Sequence, residues 1–501
     1  MSFVRRHNLL DAARRQGIAD ACTRAAQGGP VQKLRVGWPD LHGTWRGKTV
    51  FGPPDLLERV LMDGIGMVST LLLKDTADHT AFRVFEPGGL DGLPGFGAAN
   101  NLVLLPDGSS FQRLLWAPDT GWLRAEPWWD DGRPVEADPR RVLQRALAEL
   151  AAAGYRLQCG LELEFHIFRI SDDGLSTDAA DWPPEPPALR HLHPGYKLLA
   201  EDHADLADEA LDIVRSTAQG LGMPLRSLEI EFGPSQVEAV FEPTDALTAA
   251  DQMAQFRGGV RQALRRKGYL ATFACCPPLP NTVASGWHLH ESLLDAHGGC
   301  AMVTRDARGG PGEARGLMSG VGAHWLAGLL SHARGMTALC APTIPAYARY
   351  RGSVMAPQSV GWAHDNRGAL MRVLGGPGDA STHIENRLGE PMANPYLAIA
   401  AQVAAGLHGL RAALEPPPAT TAAYANGDAN GDADGDADGA QALPANLGEA
   451  LDALAADAEL QQAMGPAMAR IFDTVKRQEI ARYAEAADKL QWQRREYLGR
   501  F

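Results

Sequence analysis

The sequence predicts an α+β protein: a small, strand-rich N-terminal part and a large C-terminal part. Three observations lead there. Over residues 31–122, short apolar runs are broken by Gly, Pro and Asp turns, the pattern of successive strands. A turn-rich stretch at residues 129–134 ends that pattern, and Asp138-Pro139 then opens a long helical one. Beyond it, strand and helix patterns alternate irregularly, unlike the regular repeat of a doubly wound sheet.

Size and charge narrow the possibilities. The chain has 501 residues, 45% of them hydrophobic, enough for more than one domain and a buried core. Its net charge of −13 argues against a nucleic-acid binder and against an anionic membrane surface as partner. No apolar window approaches the roughly 20 residues of a membrane span. The N-terminus mixes Arg5, Arg6, Arg14 and Arg15 with Asp11 and Asp20, unlike a signal peptide. Six cysteines without a C-x-x-C pair read as reduced thiols. The expected location is cytoplasmic.

In chain order, residues 1–27 read as an amphipathic helix with Leu9, Leu10, Ala13 and Ile18 on one side. Residues 28–133 form the strand-rich domain, with strands expected at 34–36, 67–72, 102–105 and 111–116. Residues 134–501 form the large domain. Its first helix is capped by Asp138, has Pro139 at the first position, and ends at Gly154. Residues 415–442 are low complexity and read as a flexible, solvated insertion. Alternate carboxylates at 432–439 suit calcium, but no glutamate closes the loop. A helical tail runs from Asn446 to about residue 496.

One pattern recurs four times: charged or imidazole groups at i and i+2 with apolar residues between. The first is Glu162-Leu-Glu164-Phe-His166. In a strand these three share a face. The second is Glu229-Ile-Glu231, a Gly-Pro-Ser turn, then Gln236-Val-Glu238. The third is His288-Leu-His290-Glu-Ser292, and the fourth His383-Ile-Glu385-Asn-Arg387. Carboxylates side by side repel unless a cation lies between them. Together the four strands supply an oxygen-rich site that favours Mg²⁺ or Mn²⁺, with donors enough for two or three ions. Several ions beside arginines suit phosphate chemistry. Gly43-Thr-Trp-Arg-Gly47-Lys48-Thr49 is one residue short of a phosphate loop. Metals and arginines would therefore hold a nucleotide. Arg349, Arg351, Arg367 and Arg372 are at hand.

These motifs, in this order and spacing, resemble the glutamine synthetase family. The matching segments are Glu162-x-Glu164-Phe, Glu231-x-x-Pro-x-Gln236-x-Glu238, Gly286-x-His288-x-His290-x-Ser292-Leu, Tyr347-x-Arg349, Asn366-Arg367, Ile384-Glu385-x-Arg387 and Ala393-Asn394-Pro395-Tyr396-Leu397. Asp40-x-x-Gly43 with Arg46-Gly47-Lys48 looks like the end of that family's N-terminal β-grasp motif. The resemblance covers essentially the whole chain. It implies a small β-grasp-like domain and a large catalytic domain with a curved antiparallel sheet flanked by helices. It implies that Glu164, Glu231 and Glu238 hold one metal, and Glu162, His288 and Glu385 another. His290 and Ser292 would face the nucleotide. Arg367 and Arg372 would steady the transferring phosphoryl group, and Arg349 and Arg387 would clamp the amino acid. Asp40 would accept the amine proton from a neighbouring subunit of a closed ring, expected as a dodecamer. ATP, glutamate and an amine are the implied substrates.

Three positions depart from the family pattern. Met355 stands where a glutamate helps bind ammonium. Val283-Ala284 replace an Asn-Gly pair at the glutamate site. His383 replaces an arginine near the phosphates. A thioether in place of a carboxylate removes charge and adds a deformable apolar wall. The expected activity is therefore ATP-dependent ligation of the γ-carboxylate of glutamate to an aniline-like amine, through a γ-glutamyl phosphate. Met355 and Asp40 would line the amine pocket, with Trp38 or Trp45 as neighbours. The alternatives are an ammonia-using glutamine synthetase, an alkylamine or polyamine ligase, a non-catalytic scaffold, and a metal-dependent hydrolase.

Overall fold

The computed structural model describes residues 1–27, 31–53, 55–305, 312–352, 356–420 and 441–501. The N-terminal segment is two helices, α1 (Phe3–Arg6) and α2 (Ala12–Ala26), where one was expected. Asn8 adopts a left-handed φ of 56° and interrupts them. Asp11 then caps α2 by accepting from Arg14 N. Leu9 and Leu10 fall in the gap and pack with Phe3, Val4 and Leu105.

Six strands follow: β1 (Lys33–Pro39), β2 (Trp45–Val50), β3 (Ile65–Val68), β4 (Asn101–Pro106), β5 (Gln112–Arg113) and β6 (Thr120–Trp128), with α3 (Leu56–Asp63) before β3. Their order is β2-β1-β6-β4-β3, with β5 on β6. The run at 67–72 is strand only to Val68, and continues as a tight turn of helix over Ser69–Leu73. The run at 111–116 is strand only at Gln112–Arg113, because Leu114 N turns back to Thr120 O. Trp38 is fully buried, and its indole donates to Asp138, the cap of α4 (Pro139–Ala152). That bond ties the first sheet to the helix that opens the larger part. It also removes Trp38 from any ligand pocket.

The second sheet has nine strands: β7 (Arg156–Asp172), β8 (Ala188–His191), β9 (Leu225–Ile230), β10 (Gln236–Asp245), β11 (Tyr269–Thr272), β12 (Trp287–Leu294), β13 (Trp362–His364), β14 (Met371–Leu374) and β15 (His383–Gly389). Their order is β13-β14-β15-β12-β7-β10-β9, with β8 and β11 on β7. Pairing is antiparallel except β13 with β14; in the first sheet, β1 with β6 is also parallel. The long β7 lies at the centre. Helices α5 (Glu201–Gly220), α6 (Ala246–Arg265), α7 (Gly320–Ser331), α8 (Ala333–Cys340), α9 (Ala346–Gly352) and α10 (Pro395–Ala412) accompany this sheet. Asn394 caps α10, and its amide nitrogen donates to the carbonyls of Asp40 and Leu41. The tail comprises α11 (Leu447–Ala456), α12 (Ala458–Met464), α13 (Pro466–Glu485) and α14 (Lys489–Gln493).

The insertion expected at 415–442 is narrower than its composition suggests. Glu415 pairs with Arg315, Pro417 O accepts from the Trp362 indole at 2.7 Å, and Val360 N donates to Gln441 O at 2.8 Å. Both ends are thus built into the fold, and residues 421–440 lie outside the described residues. Among the described residues, no helix is long and apolar enough to cross a membrane.

Candidate active site

Strand alternation places the polar residues of β7 on one face, and the register sets their neighbours. Glu164 lies opposite Glu238 on β10, and Glu238 opposite Glu229 on β9. Glu162 lies opposite His288 on β12. His290 pairs with Glu385 on β15, and Glu385 with Arg372 on β14. A belt of charge therefore crosses six adjacent strands. The apolar residues between, Leu161, Leu163 and Phe165, are buried in the core.

Two groups of three donors converge within this belt, each with its ligand atoms within 4.8 Å of one another: Glu162, His288 and Glu385; and Glu164, Glu238 and His288. His288 is shared. Its Nδ1 is 3.3 Å from Glu162 and 3.7 Å from Glu385, and its Nε2 is 4.0 Å from Glu164. Gly286 makes this approach possible. A Cβ there would lie 2.7 Å from Arg349 Nη2 and 2.9 Å from His288 Nε2. Gly286 N also donates to Glu164 at 2.8 Å, and Gln236 Nε2 to the same oxygen at 3.2 Å.

The electrostatics split the carboxylates. Burial, then Glu164, Glu162, Glu231 and Glu229, push Glu238 up to about 10. Burial and the Glu231 charge push Glu164 up to about 7, against Arg349 and Gly286 N. Burial also raises Glu231. Burial would raise Glu162 and Glu385 too, but their cationic neighbours win. Hydrogen bonds from His288 and His290 hold Glu162 well below the usual range, and His288 and Arg387 bring Glu385 to about 2.

The donors fit hard divalent ions. Ser381 O accepts from His383 Nδ1, and His383 Nε2 accepts from His290 Nδ1 at 3.0 Å. That tautomer chain leaves a lone pair on His290 Nε2, 3.1 Å from a Glu162 oxygen, so this nitrogen donates to Glu162 only when His290 is protonated. A cation or a proton completes the contact. Mostly oxygen donors with one shared imidazole suit Mg²⁺ or Mn²⁺.

The linkage sets a testable sign. Glu164 and Glu238, at about 7 and about 10, bind more protons folded than unfolded. Their stabilising effect is complete below the unfolded value of 4.5 and is lost as pH rises through the folded values. His288, lowered to about 4 from 6.5, works the other way, but only below about pH 6.5. Metal-chelated protein should therefore lose melting temperature from pH 7 to 9.5, and excess Mg²⁺ or Mn²⁺ should flatten or reverse the slope. A rising melting curve in chelator would contradict the assignment.

The remaining expected residues divide. Glu231 sits at the rim of the belt, where its carboxylate accepts from Phe232 N. Arg372 and Arg387 each hold one oxygen of Glu385, at 3.0 and 2.5 Å. Arg349 is buried and donates to the carbonyls of Arg387 and Gly389. Ala284 presents its carbonyl to Gln236. Ser292 turns toward Cys300 and Thr382 O, beyond His290 on β12. Arg367 is exposed on a turn before β14. Asp40 is 1% exposed, accepting from His42 N and Thr44 N and pairing with Arg46 at 2.8 Å. Met355 lies outside the described residues.

One residue of the recurring pattern was given no role, and one aromatic pair escaped the sequence reading. Glu229, already part of the second motif, belongs to the belt opposite Glu238. Tyr196 and Phe232 form an exposed edge-to-face pair 5.6 Å apart beside Glu231, joined by Tyr196 N donating to Phe232 O at 2.6 Å. No local pattern marks Tyr196; the turn Gly195–Tyr196, with φ of 70° and 58°, delivers it.

Comparison with known proteins identifies the family. Residues 136–497 match the glutamine synthetase catalytic domain. A γ-glutamylanilide synthase of Acinetobacter is 33% identical over 99% of both chains. A γ-glutamylethanolamide synthetase of Streptomyces coelicolor is 34% identical over 78% of each. The solved GmaS–ADP complex superposes with a TM-score of 0.72 at 27% identity, covering 95% of this chain and 98% of that one. The chain belongs to the glutamine synthetase family and is an ATP-dependent carbon–nitrogen ligase.

Proposed function

We propose that this protein joins the γ-carboxylate of glutamate to an apolar, aniline-like amine in preference to ammonia. The exposed Tyr196–Phe232 pair beside Glu231 is the observation that supports it most directly. It offers an aromatic wall at the edge of the carboxylate belt. The γ-carboxylate attacks the terminal phosphorus of ATP, ADP leaves, and a γ-glutamyl phosphate forms. The amine attacks the acyl carbon, phosphate departs, and the nitrogen loses a proton. Glu162, His288, Glu385, Glu164 and Glu238, with Glu231 at the rim, hold Mg²⁺ or Mn²⁺, which supplies positive charge at the phosphates. Arg372 and Arg367 serve the phosphoryl end, with His290 toward the nucleotide. Arg349 and Arg387 serve the amino acid.

An arylamine arrives neutral and needs no anionic site to bind, whereas ammonium does. Phosphate release from ATP, glutamate and Mg²⁺ should therefore rise more steeply with aniline than with isopropylamine, ethanolamine or ammonium chloride. A higher specificity constant for ammonium would return the protein to ammonia chemistry. No amine-dependent release at all would favour the scaffold reading.

Asp40 serves as proton acceptor in the site of a neighbouring subunit of a ring. In one subunit it is buried against Arg46, so the Asp40–Thr44 turn must open toward the neighbour. Subunits carrying Asp40→Asn and subunits carrying Glu164→Gln should each be inactive alone. Dissociated, mixed equally and reassembled, they should regain about a quarter of wild-type activity, the share of interfaces with both residues intact. Mixtures that stay inactive would confine Asp40 to its own chain.

A further inference from the structure

Away from these ligands, an open cavity of about 730 Å³ is lined by the β1–β2 turn, α6, residues 173–175, 184–187 and 270–273, and residues 495–501. Its charge is opposite to that of the chain. Seven arginines line it against two carboxylate side chains, Asp173 and Glu185, in a protein of net charge −13. Glu185 is already taken by Arg495, at 3.2 Å. Arg257, Arg261 and Arg265 follow one another at four-residue spacing on α6, an arrangement of like charges that weakens a helix. The dipole at the end of α6 favours a cation at Arg265, but not at Arg257 two turns earlier.

Apart from Arg495, which pairs with Asp181 and Glu185, what these guanidinium groups are seen to bind is neutral. Arg257 donates to the carbonyls of Pro391, Ala393 and Gly43, and Arg261 to Gly499 O. Arg500 Nε donates to Thr76 O. Arg261 Nε and Arg265 Nη1 are buried with no hydrogen-bond partner among the described residues. Burial and then the neighbouring guanidinium bring Arg257 and Arg261 down to about 10. Clustered, desolvated forks with donors to spare are what carboxylate and phosphate groups recognise in pairs. The volume is that of an ordinary small-molecule site.

We propose that this cavity binds a small multivalent oxyanion, a di- or tricarboxylate or a phosphate ester, held by Arg261 and Arg265 of α6 together with Arg500. The bound anion also reaches the turn that carries Asp40. Arg257 donates to Gly43 O, and Gly43, Thr44 and Trp45 form part of the same wall. Occupancy therefore steadies residues 40–45. This coupling matters for turnover only through the role proposed above for Asp40; the binding itself does not depend on it.

Calorimetric titration of the assembled, metal-free protein tests it at constant ionic strength, with citrate and inorganic pyrophosphate as probes. No nucleotide or glutamate is present, so the result stands apart from the ligase reading. Saturable binding of either probe is expected, and the tighter one tells the carboxylate source from the phosphate source. Arg261→Gln and Arg265→Gln should each weaken it by roughly tenfold or more. Arg261→Lys should fall between, since it keeps the charge but loses the fork. Without probe, Arg261→Gln should melt no lower than wild type, because it relieves repulsion. Amide exchange over residues 40–45 should slow with probe bound. Failure of both probes to bind would overturn the proposal, as would a cavity filled by a neighbouring copy. So would equal binding by the Gln variants, or binding lost in Glu238→Gln, which would put the probe on the carboxylate belt.

Discussion

Glu164→Gln is expected to abolish amine-dependent phosphate release, by roughly 10³-fold, while raising the melting temperature of the metal-free protein. The two effects have one cause. Glu164 is partly buried opposite Glu238 and beside Glu231, and is pushed up to about 7. Its charge has value only when a cation shares it. Glutamine keeps an acceptor for Gly286 N and removes the repulsion. Glu164→Ala should lose the same activity without the same gain. It would leave Gly286 N without its acceptor, at about 1–3 kcal/mol, while Gln236 Nε2 keeps Ala284 O and Ser285 Oγ. Melting curves with and without Mn²⁺, beside a phosphate-release assay, separate the variants. Wild-type turnover in Glu164→Gln would remove Glu164 from the ligand set.

The second large effect is expected at the amine. Met355→Glu should shift preference from aniline toward ammonium, and Phe232→Ala should weaken aniline selectively. Covering one ring with apolar wall is worth about 1.5–3 kcal/mol, or roughly 10- to 150-fold in specificity constant. Ammonium gains nothing from such a wall and gains a counter-charge from the new glutamate. Steady-state rates with both amines, for wild type and each variant, give the comparison. Variants that change both amines equally would assign Met355 and Phe232 to packing.

Much of the belt was legible because its signal is local. Period-two alternation put Glu162 and Glu164 on one face, and the Gly-Pro-Ser turn brought Glu238 back against them. Asp138-Pro139 marked a helix start because both the cap and the fixed φ act within one turn. The misreadings lie where distant contacts decide. Residues 111–116 look like a strand, but the turn to Thr120 limits pairing to two residues. Residues 415–420 look like linker, but Trp362 needs an acceptor for its indole and finds it at Pro417. Tyr196 carries no motif, and reaches the site through a backbone bond to Phe232, 36 positions away.

Glu385 bears on the order in which the site fills. It is fully buried, and each of its oxygens is occupied by an arginine proposed to meet substrate, Arg372 on one side and Arg387 on the other. The carboxylate acts as a parking place for both. While they are parked, neither the phosphoryl end nor the amino-acid end can draw on its full charge. A divalent ion sharing an oxygen of Glu385 would loosen its hold on both arginines together. Were metal to bind before glutamate and nucleotide, Glu385 would prime both ends of the proposed reaction from a single position.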